Sequence, residues 1–198
     1  MNRLQQALDH VARHLAHEGA DWALVGGFAV SARTAPRFTR DLDLAVAVRD
    51  DPGAEALVAR LARYGYRPMA TVEQVEARRL ATVRLAAPEQ PDPGVVVDLL
   101  FASSGIEDEV VAEAETLEIF SGVCVKVARL HHLLALKVLA RDDRARPQDR
   151  VDLISLLKVA SAEDIDRARA AVARIVERRF NRGKDLEASF ESLLRETG

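Results

Sequence analysis

The sequence predicts an α/β chain, with a mixed sheet and helices over residues 1–128 and helices alone over 129–198. Two strand-like runs fall in the first part: Asp41–Val48 alternates strictly, and Val95–Phe101 is apolar except for Asp98. Gly26-Gly27 lies where a short apolar strand would run into a helix. From Leu130 onward the apolar residues recur at helical spacing. No repeat or low-complexity linker separates the two parts, so they read as one continuous globule.

The elements follow in order. Leu4, Leu8, Val11 and Leu15 mark an amphipathic helix that starts at Asn2 and stops at Gly19. Trp22–Val25 is a strand, Phe28–Arg33 a helix, and Asp41–Val48 a strand with its first polar residues on one face. Asp51-Pro52 opens a helix that runs to Tyr64. Strands at Arg79–Ala86 and Val95–Phe101 flank a turn over Pro88–Gly94. A helix over Gly105–Glu115 and a strand over Val123–Val127 close the mixed part. Helices then span Leu130–Arg141, Pro147–Val159, a long segment opened by the Ser161-x-x-Asp164 capping box, and Leu186–Leu194. Trp22 and Phe28 are core residues in this reading.

Composition excludes several classes. A chain of 198 residues, 48% hydrophobic and 30% charged, can bury a core without disulfides and is not disordered. Cys124 is the only cysteine, which excludes disulfide scaffolds and Cys-based zinc fingers and suits a reducing, cytoplasmic compartment. No apolar run approaches the roughly 18 residues of a membrane span, and no signal-peptide stretch opens the chain, so no membrane partner is expected. The charge of −3 argues against a general nucleic-acid coat. Arg129–Arg150 nevertheless holds six cations and three Asp, a local footing for a polyanion.

Two carboxylates at i and i+2 of a strand, Asp41 and Asp43, point to one face about 6–7 Å apart at the Cα level. Alone they read rather as structural, Asp41 a loop cap and Asp43 a solvated strand residue. Asp98 adds weight, because an ionised side chain within an apolar strand requires a cation or a positive cluster. Three hard oxygen donors suit Mg²⁺. Gly26-Gly27 offers backbone amides at a helix start, where anions are favoured. His131 and His132 are adjacent, which predicts one buried and one exposed ring without a metal role. Arg144 and Arg146 read as a solvated face, as does the stripe Arg167, Arg169, Arg174, Arg178 and Arg179, paired with Glu163 and Glu177.

The combination of Gly26-Gly27, Arg37-x-Thr39-x-Asp41-x-Asp43 and a later strand Asp98 resembles the nucleotidyltransferase superfamily built on a DNA polymerase β-like palm. More narrowly, it resembles the AbiEii-type branch, which includes toxins of type IV toxin–antitoxin (abortive infection) systems. The resemblance spans residues 20–157. It implies a palm followed by a helical region that completes the active site, and transfer of NMP from an NTP to a hydroxyl. Asp41, Asp43 and Asp98 would bind Mg²⁺ or Mn²⁺, and the glycine pair would contact the phosphates. RNA, above all tRNA, is the implied acceptor, and a cognate antitoxin the implied protein partner.

The helical part carries the similar series His131-x5-Lys137-x3-Arg141-x7-Asp149-x2-Asp152. By resemblance Lys137 holds the triphosphate and Asp149 orients Lys137 or activates the acceptor hydroxyl. Helical spacing predicts Lys137 and Arg141 on one face, Arg141 joining the nucleotide site. Many superfamily members have Gly-Ser where this chain has Gly-Gly. Phe28 cannot supply the missing hydroxyl, so phosphate binding falls to backbone amides, Lys137 and Arg37, with Thr39 beside the metal strand. Two other readings stand: an aminoglycoside- or lincosamide-type adenylyltransferase, and a catalytically idle palm that docks a partner.

Overall fold

The computed structural model describes residues 3–88 and 94–197. Asn2, the expected first cap, and most of the expected turn over Pro88–Gly94 fall outside the described residues. Helix α1 (Arg3–His17) buries Leu8, Val11 and Leu15 as its periodicity predicts, and the chain turns at Gly19 with φ +65°. Strand β1 (Trp22–Val25) is buried along its length and leads directly into α2 (Gly26–Arg33). Strand β2 (Asp41–Val46) and α3 (Asp51–Ala62) follow. Asp50, not Asp51, caps α3 by accepting from the Gly53 amide at 2.9 Å. Asp51 instead accepts from Arg79 Nε at 2.6 Å and the Leu80 amide at 3.0 Å.

The mixed part continues through β3 (Arg67–Gln74), β4 (Arg79–Ala86), β5 (Val96–Leu100), α4 (Glu107–Ala112), β6 (Glu115–Phe120) and β7 (Val123–Val127). These strands form one mixed sheet in the order β3-β4-β5-β2-β1-β7-β6. The edge strands β3 and β6 are additions to the pattern read from sequence. Every residue of β3 but Gln74 is exposed and the strand contains Pro68, so it has neither alternation nor an apolar run. The expected helix over Gly105–Glu115 shortens to α4, and Glu115 belongs to β6.

Helices α5 (Leu130–Ala140), α6 (Pro147–Leu157), α7 (Ala162–Glu177) and α8 (Leu186–Thr197) complete the chain. Helix α5 packs on α2, α6 and α7 and is buried on nearly all sides. Ser161 and Asp164 form the anticipated capping box at α7. The arginines of this segment pair along α7, Arg169 with Asp166 at 2.8 Å and Arg167 with Glu163 at 4.0 Å, and also reach across to Glu113 from Arg167 at 2.6 Å, to Glu191 from Arg169 at 2.6 Å and to Glu109 from Arg178 at 2.5 Å. Arg33 ties α2 to the end of β7 by donating to the Ala128 carbonyl at 2.6 Å and to Glu115 at 2.8 Å. Lys184 donates to the carbonyls of Leu139 and Arg141 at 2.8 and 3.0 Å, closing the C-terminal end of α5. His131 and His132 are both buried, against the expectation of one exposed ring, because α7 covers the start of α5. Burial lowers the His132 pKa to about 3 and keeps the ring neutral. No described helix is long and apolar enough to cross a membrane.

One face of the central strands is apolar and buried: Leu44, Val97 and Leu99 have no exposed surface. Leu44→Ala is expected to lower stability by about 2–5 kcal/mol through lost burial and the cavity left behind. Urea unfolding checks this, with a shifted midpoint and an unchanged slope.

Candidate active site

Strands β2 and β5 run parallel, and their register sets Asp43 directly beside Asp98. Asp41 lies two residues before Asp43 on the same face. All three carboxylates line one cleft of about 690 Å³, together with Gly26, Gly27, Arg37, Thr39, Lys137 and Asp149. Burial raises the Asp43 pKa to about 6, and the neighbouring charges of Asp98 and Asp41 add to the effect. Burial also raises Asp41; Arg84 opposes this, while Asp98 reinforces it. On the other side of Asp98, the antiparallel β4–β5 register presents Arg84. Its Nε and Nη2 donate to the two Asp98 oxygens at 2.9 and 2.7 Å.

The glycine pair makes room for these side chains. Gly26 has φ +65°, and a Cβ there would overlap the Asp43 carboxylate. A Cβ on Gly27 would collide with the Arg37 guanidinium. Val25 provides no side-chain cap to α2, so the helix opens toward the cleft without one.

Behind the glycines, four charged residues form a chain. Arg37 donates from Nε and Nη2 to Asp152 at 2.6 and 2.7 Å, and from Nη1 to the Phe38 carbonyl at 3.0 Å. Lys137 Nζ lies 2.8 Å from Asp152 Oδ2 and donates to Asp149 Oδ1 at 2.8 Å. Burial would raise the Asp152 pKa, but its bonds to Arg37 and Lys137 outweigh it and hold the carboxyl low. Asp149 Oδ2 is buried without a hydrogen-bond partner; Arg146 Nε approaches it to 3.2 Å, outside hydrogen-bonding geometry. Lys137 has three donors and two are engaged, which leaves one N–H for a ligand in the cleft that the residue lines.

Arg141 is the candidate the structure does not bring to the cleft. Helix α5 ends at Ala140, and Arg141 turns out of it with ψ 125°, so it does not share the face of Lys137. Its guanidinium pairs with Asp143 at 2.6 and 2.7 Å beside a separate, smaller depression. Arg146 is solvated as expected, with 63% of its side chain exposed, and also lines the cleft. Thr39 lines it as well, its hydroxyl donating to the Asp41 carbonyl at 3.4 Å.

Two cleft cations escaped sequence reasoning. Arg84 alternates with the buried Val83 and Leu85, which would have marked it as facing the other side of β4, but only the register reveals Asp98 opposite. Arg182 comes from the loop between α7 and α8 and has no local signal. It holds a left-handed backbone, φ 56°, and donates to the Ser103 carbonyl and hydroxyl at 2.9 and 2.8 Å. The donor set of Asp41, Asp43 and Asp98 is hard oxygen throughout and fits Mg²⁺. Such an ion would share Asp98 with Arg84.

A family model described as Nucleotidyl transferase AbiEii toxin, Type IV TA system, matches residues 7–197. No curated protein matches the chain. Among solved structures, an antigenic nucleotidyltransferase-like protein from Paracoccidioides brasiliensis aligns at TM-score 0.55 and 20% identity, over 96% of this chain and 92% of that one. The lincosamide antibiotic adenylyltransferase LnuA, lincomycin-bound, aligns at TM-score 0.50 and 15% identity, over 78% and 97%. The antibiotic-resistance factor ANT(2'')-Ia aligns at TM-score 0.50 and 19% identity, over 98% and 96%. At these identities the likeness is one of fold, a nucleotidyltransferase-like mixed sheet with helices.

A raised pKa at Asp43 means the folded state favours its protonated form. That stabilisation is complete below the unfolded pKa near 3.8 and is lost as pH rises through about 6. In chelator-treated protein, Asp43→Asn is expected to match the wild type near pH ~4 and exceed its stability at pH ~8, by up to about 3 kcal/mol. Calorimetric melting at the two pH values checks this; a wild-type advantage at the higher pH would falsify the strained-carboxylate account.

Proposed function

The chain belongs to the AbiEii nucleotidyltransferase toxin family, and on that premise we propose that it transfers NMP from an NTP to a hydroxyl of RNA, with tRNA as acceptor. The observation that carries this reading is the gathering of Asp41, Asp43 and Asp98 with the glycine pair and Lys137 around one cleft. Asp41, Asp43 and Asp98 would hold Mg²⁺ or Mn²⁺. Bound there, the cation would neutralise phosphate charge and stabilise the oxygens of an in-line displacement. The backbone amides that open α2 receive phosphate oxygens, and the remaining N–H of Lys137 supplies a point charge to them. Arg37 acts as a positioning residue: it fixes Asp152, and Asp152 fixes Lys137.

The acceptor hydroxyl attacks the α-phosphorus, the bond to the bridging oxygen breaks, and pyrophosphate leaves. Asp149 Oδ2, which has no hydrogen-bond partner, takes up the hydroxyl proton. Positioning and electrostatics supply most of the rate, since this transfer asks little covalent chemistry of the protein.

An RNA acceptor is supported at the rim. Phe38 is 78% exposed between the cleft residues Arg37 and Thr39, and the Arg40 guanidinium lies 5.6 Å from its ring centroid. An exposed ring beside an arginine offers a stacking platform for an unpaired base. The type IV toxin–antitoxin setting of the family implies a cognate antitoxin as protein partner.

Purified protein, Mg²⁺ and each labelled NTP should be incubated with total tRNA and, separately, with aminoglycoside and lincosamide panels. Label is expected on tRNA. Asp98→Asn should reduce transfer by roughly 10²-fold or more. Phe38→Ala should weaken tRNA binding by about 1–3 kcal/mol and leave NTP binding unchanged. Label on the drugs alone moves the acceptor to small molecules. Label on neither, with no heat on titrating NTP, leaves an idle docking palm.

A further inference from the structure

Outside the cleft, three potential ligands converge where α4 ends and α5 begins. Glu113 follows the last turn of α4, and His131 and His132 lie in the first turn of α5. One ligand atom from each lies within 4.8 Å of the other two, and His131 Nε2 is 3.4 Å from Glu113 Oε2. The two imidazole centroids are 4.1 Å apart. None of the three lines the cleft.

A second, independent observation concerns His132. The residue has no exposed surface, and among the described residues neither ring nitrogen has a hydrogen-bond partner. An unpaired buried polar group is costly, and a ring has two. A ligand that takes up a nitrogen lone pair removes part of that penalty.

We propose that Glu113, His131 and His132 bind one Zn²⁺ at a site separate from the carboxylate cleft. Two imidazoles and a carboxylate are a zinc donor set that leaves a fourth position for water, and the imidazoles disfavour Mg²⁺. Tetrahedral coordination at ~2.0–2.1 Å separates ligand atoms by about 3.3 Å. The His131–Glu113 spacing of 3.4 Å already meets this, and the other two spacings, each within 4.8 Å, close by small rotations of the three side chains. Arg167 now pairs with Glu113 at 2.6 Å, and Glu163 stands 4.0 Å from it as an alternative partner when Glu113 turns to the metal. The ion would clamp the end of α4 to α5, the helix that carries Lys137.

The test uses the full chain with Mg²⁺ in excess to occupy the cleft carboxylates, titrated with Zn²⁺ against a chromogenic chelator and with Co²⁺ followed by its visible absorption. One equivalent of Zn²⁺, a tetrahedral Co²⁺ spectrum and a raised melting temperature are expected. Glu113→Gln, at a partly exposed position, and His132→Leu, which fills the same space without nitrogen, should each lower Zn²⁺ affinity roughly tenfold or more. Asp43→Asn should leave it unchanged. Absence of Zn²⁺ binding under excess Mg²⁺ overturns the proposal. So does wild-type affinity in both ligand variants, or loss of binding in Asp43→Asn, which would put the ion in the cleft.

Discussion

The parallel pairing of β2 with β5 is the constraint on which the rest of the site depends. In this register Asp43 and Asp98, 55 positions apart in sequence, are lateral neighbours, and Asp41 joins them through the two-residue period of β2. A one-residue slip would turn Asp98 to the other face of the sheet and bring Val97 or Leu99 in its place. The buried faces of Leu42, Leu44, Val97 and Leu99 hold the register, since a one-residue slip would turn one strand's set to the other face. The apolar core thus determines the acidic site. Burial, reinforced by the like charges of Asp98 and Asp41, raises the pKa of Asp43 and creates a demand for a cation; among the three carboxylates, Arg84 hydrogen-bonds Asp98.

The Arg37–Asp152–Lys137–Asp149 chain couples this wall to the helical part of the protein. Arg37 leads into β2, Lys137 is on α5, and both aspartates are on α6. A buried ion-pair network of this kind is weak evidence for stability, because desolvation offsets much of the attraction. Removal of one member is another matter, since it leaves an unpaired buried charge at a penalty of about 3–5 kcal/mol. The network therefore specifies a geometry. It gives Lys137, 7% exposed, two carboxylate partners and sets its amine where α2 opens beside the carboxylates. Lys184 supports the same arrangement from the far end of α5 by satisfying its last carbonyls.

Much of this was legible from residue patterns, and the failures share a cause. The central strands, the glycine junction, the capping box at Ser161 and the cleft positions of Asp41, Asp43 and Asp98 follow local chemistry: alternation, an acidic residue in an apolar run, a helix start; Lys137 and Asp149 rest on the family resemblance. Strand β3 escaped because an exposed edge needs no alternation. The Arg84–Asp98 pair escaped because register is a property of two strands. Arg141 was misplaced because the helix ends one residue before it, a boundary that helical periodicity does not mark. His131 and His132 were misread because adjacency on a helix argues for opposite environments only when one side faces water, and α5 is covered all round.

The same dependence on neighbours decides which substitutions are informative about chemistry. Lys137 is both a candidate phosphate ligand and the counter-charge for Asp149 and Asp152, so its loss would disturb packing and chemistry together. Asp98 is better separated. Its partner Arg84 keeps 48% of its side chain exposed and can return to water when the carboxylate is neutralised. Gly26 lies between these cases: its left-handed backbone and the overlap of any Cβ with Asp43 make it a steric condition for the metal wall rather than only a flexible turn. The absence of the Gly-Ser hydroxyl fits this arrangement. Arg37 stands over Gly27 and makes three hydrogen bonds to Asp152 and Phe38, so the electrostatic role at this turn falls to the helix start and to Lys137.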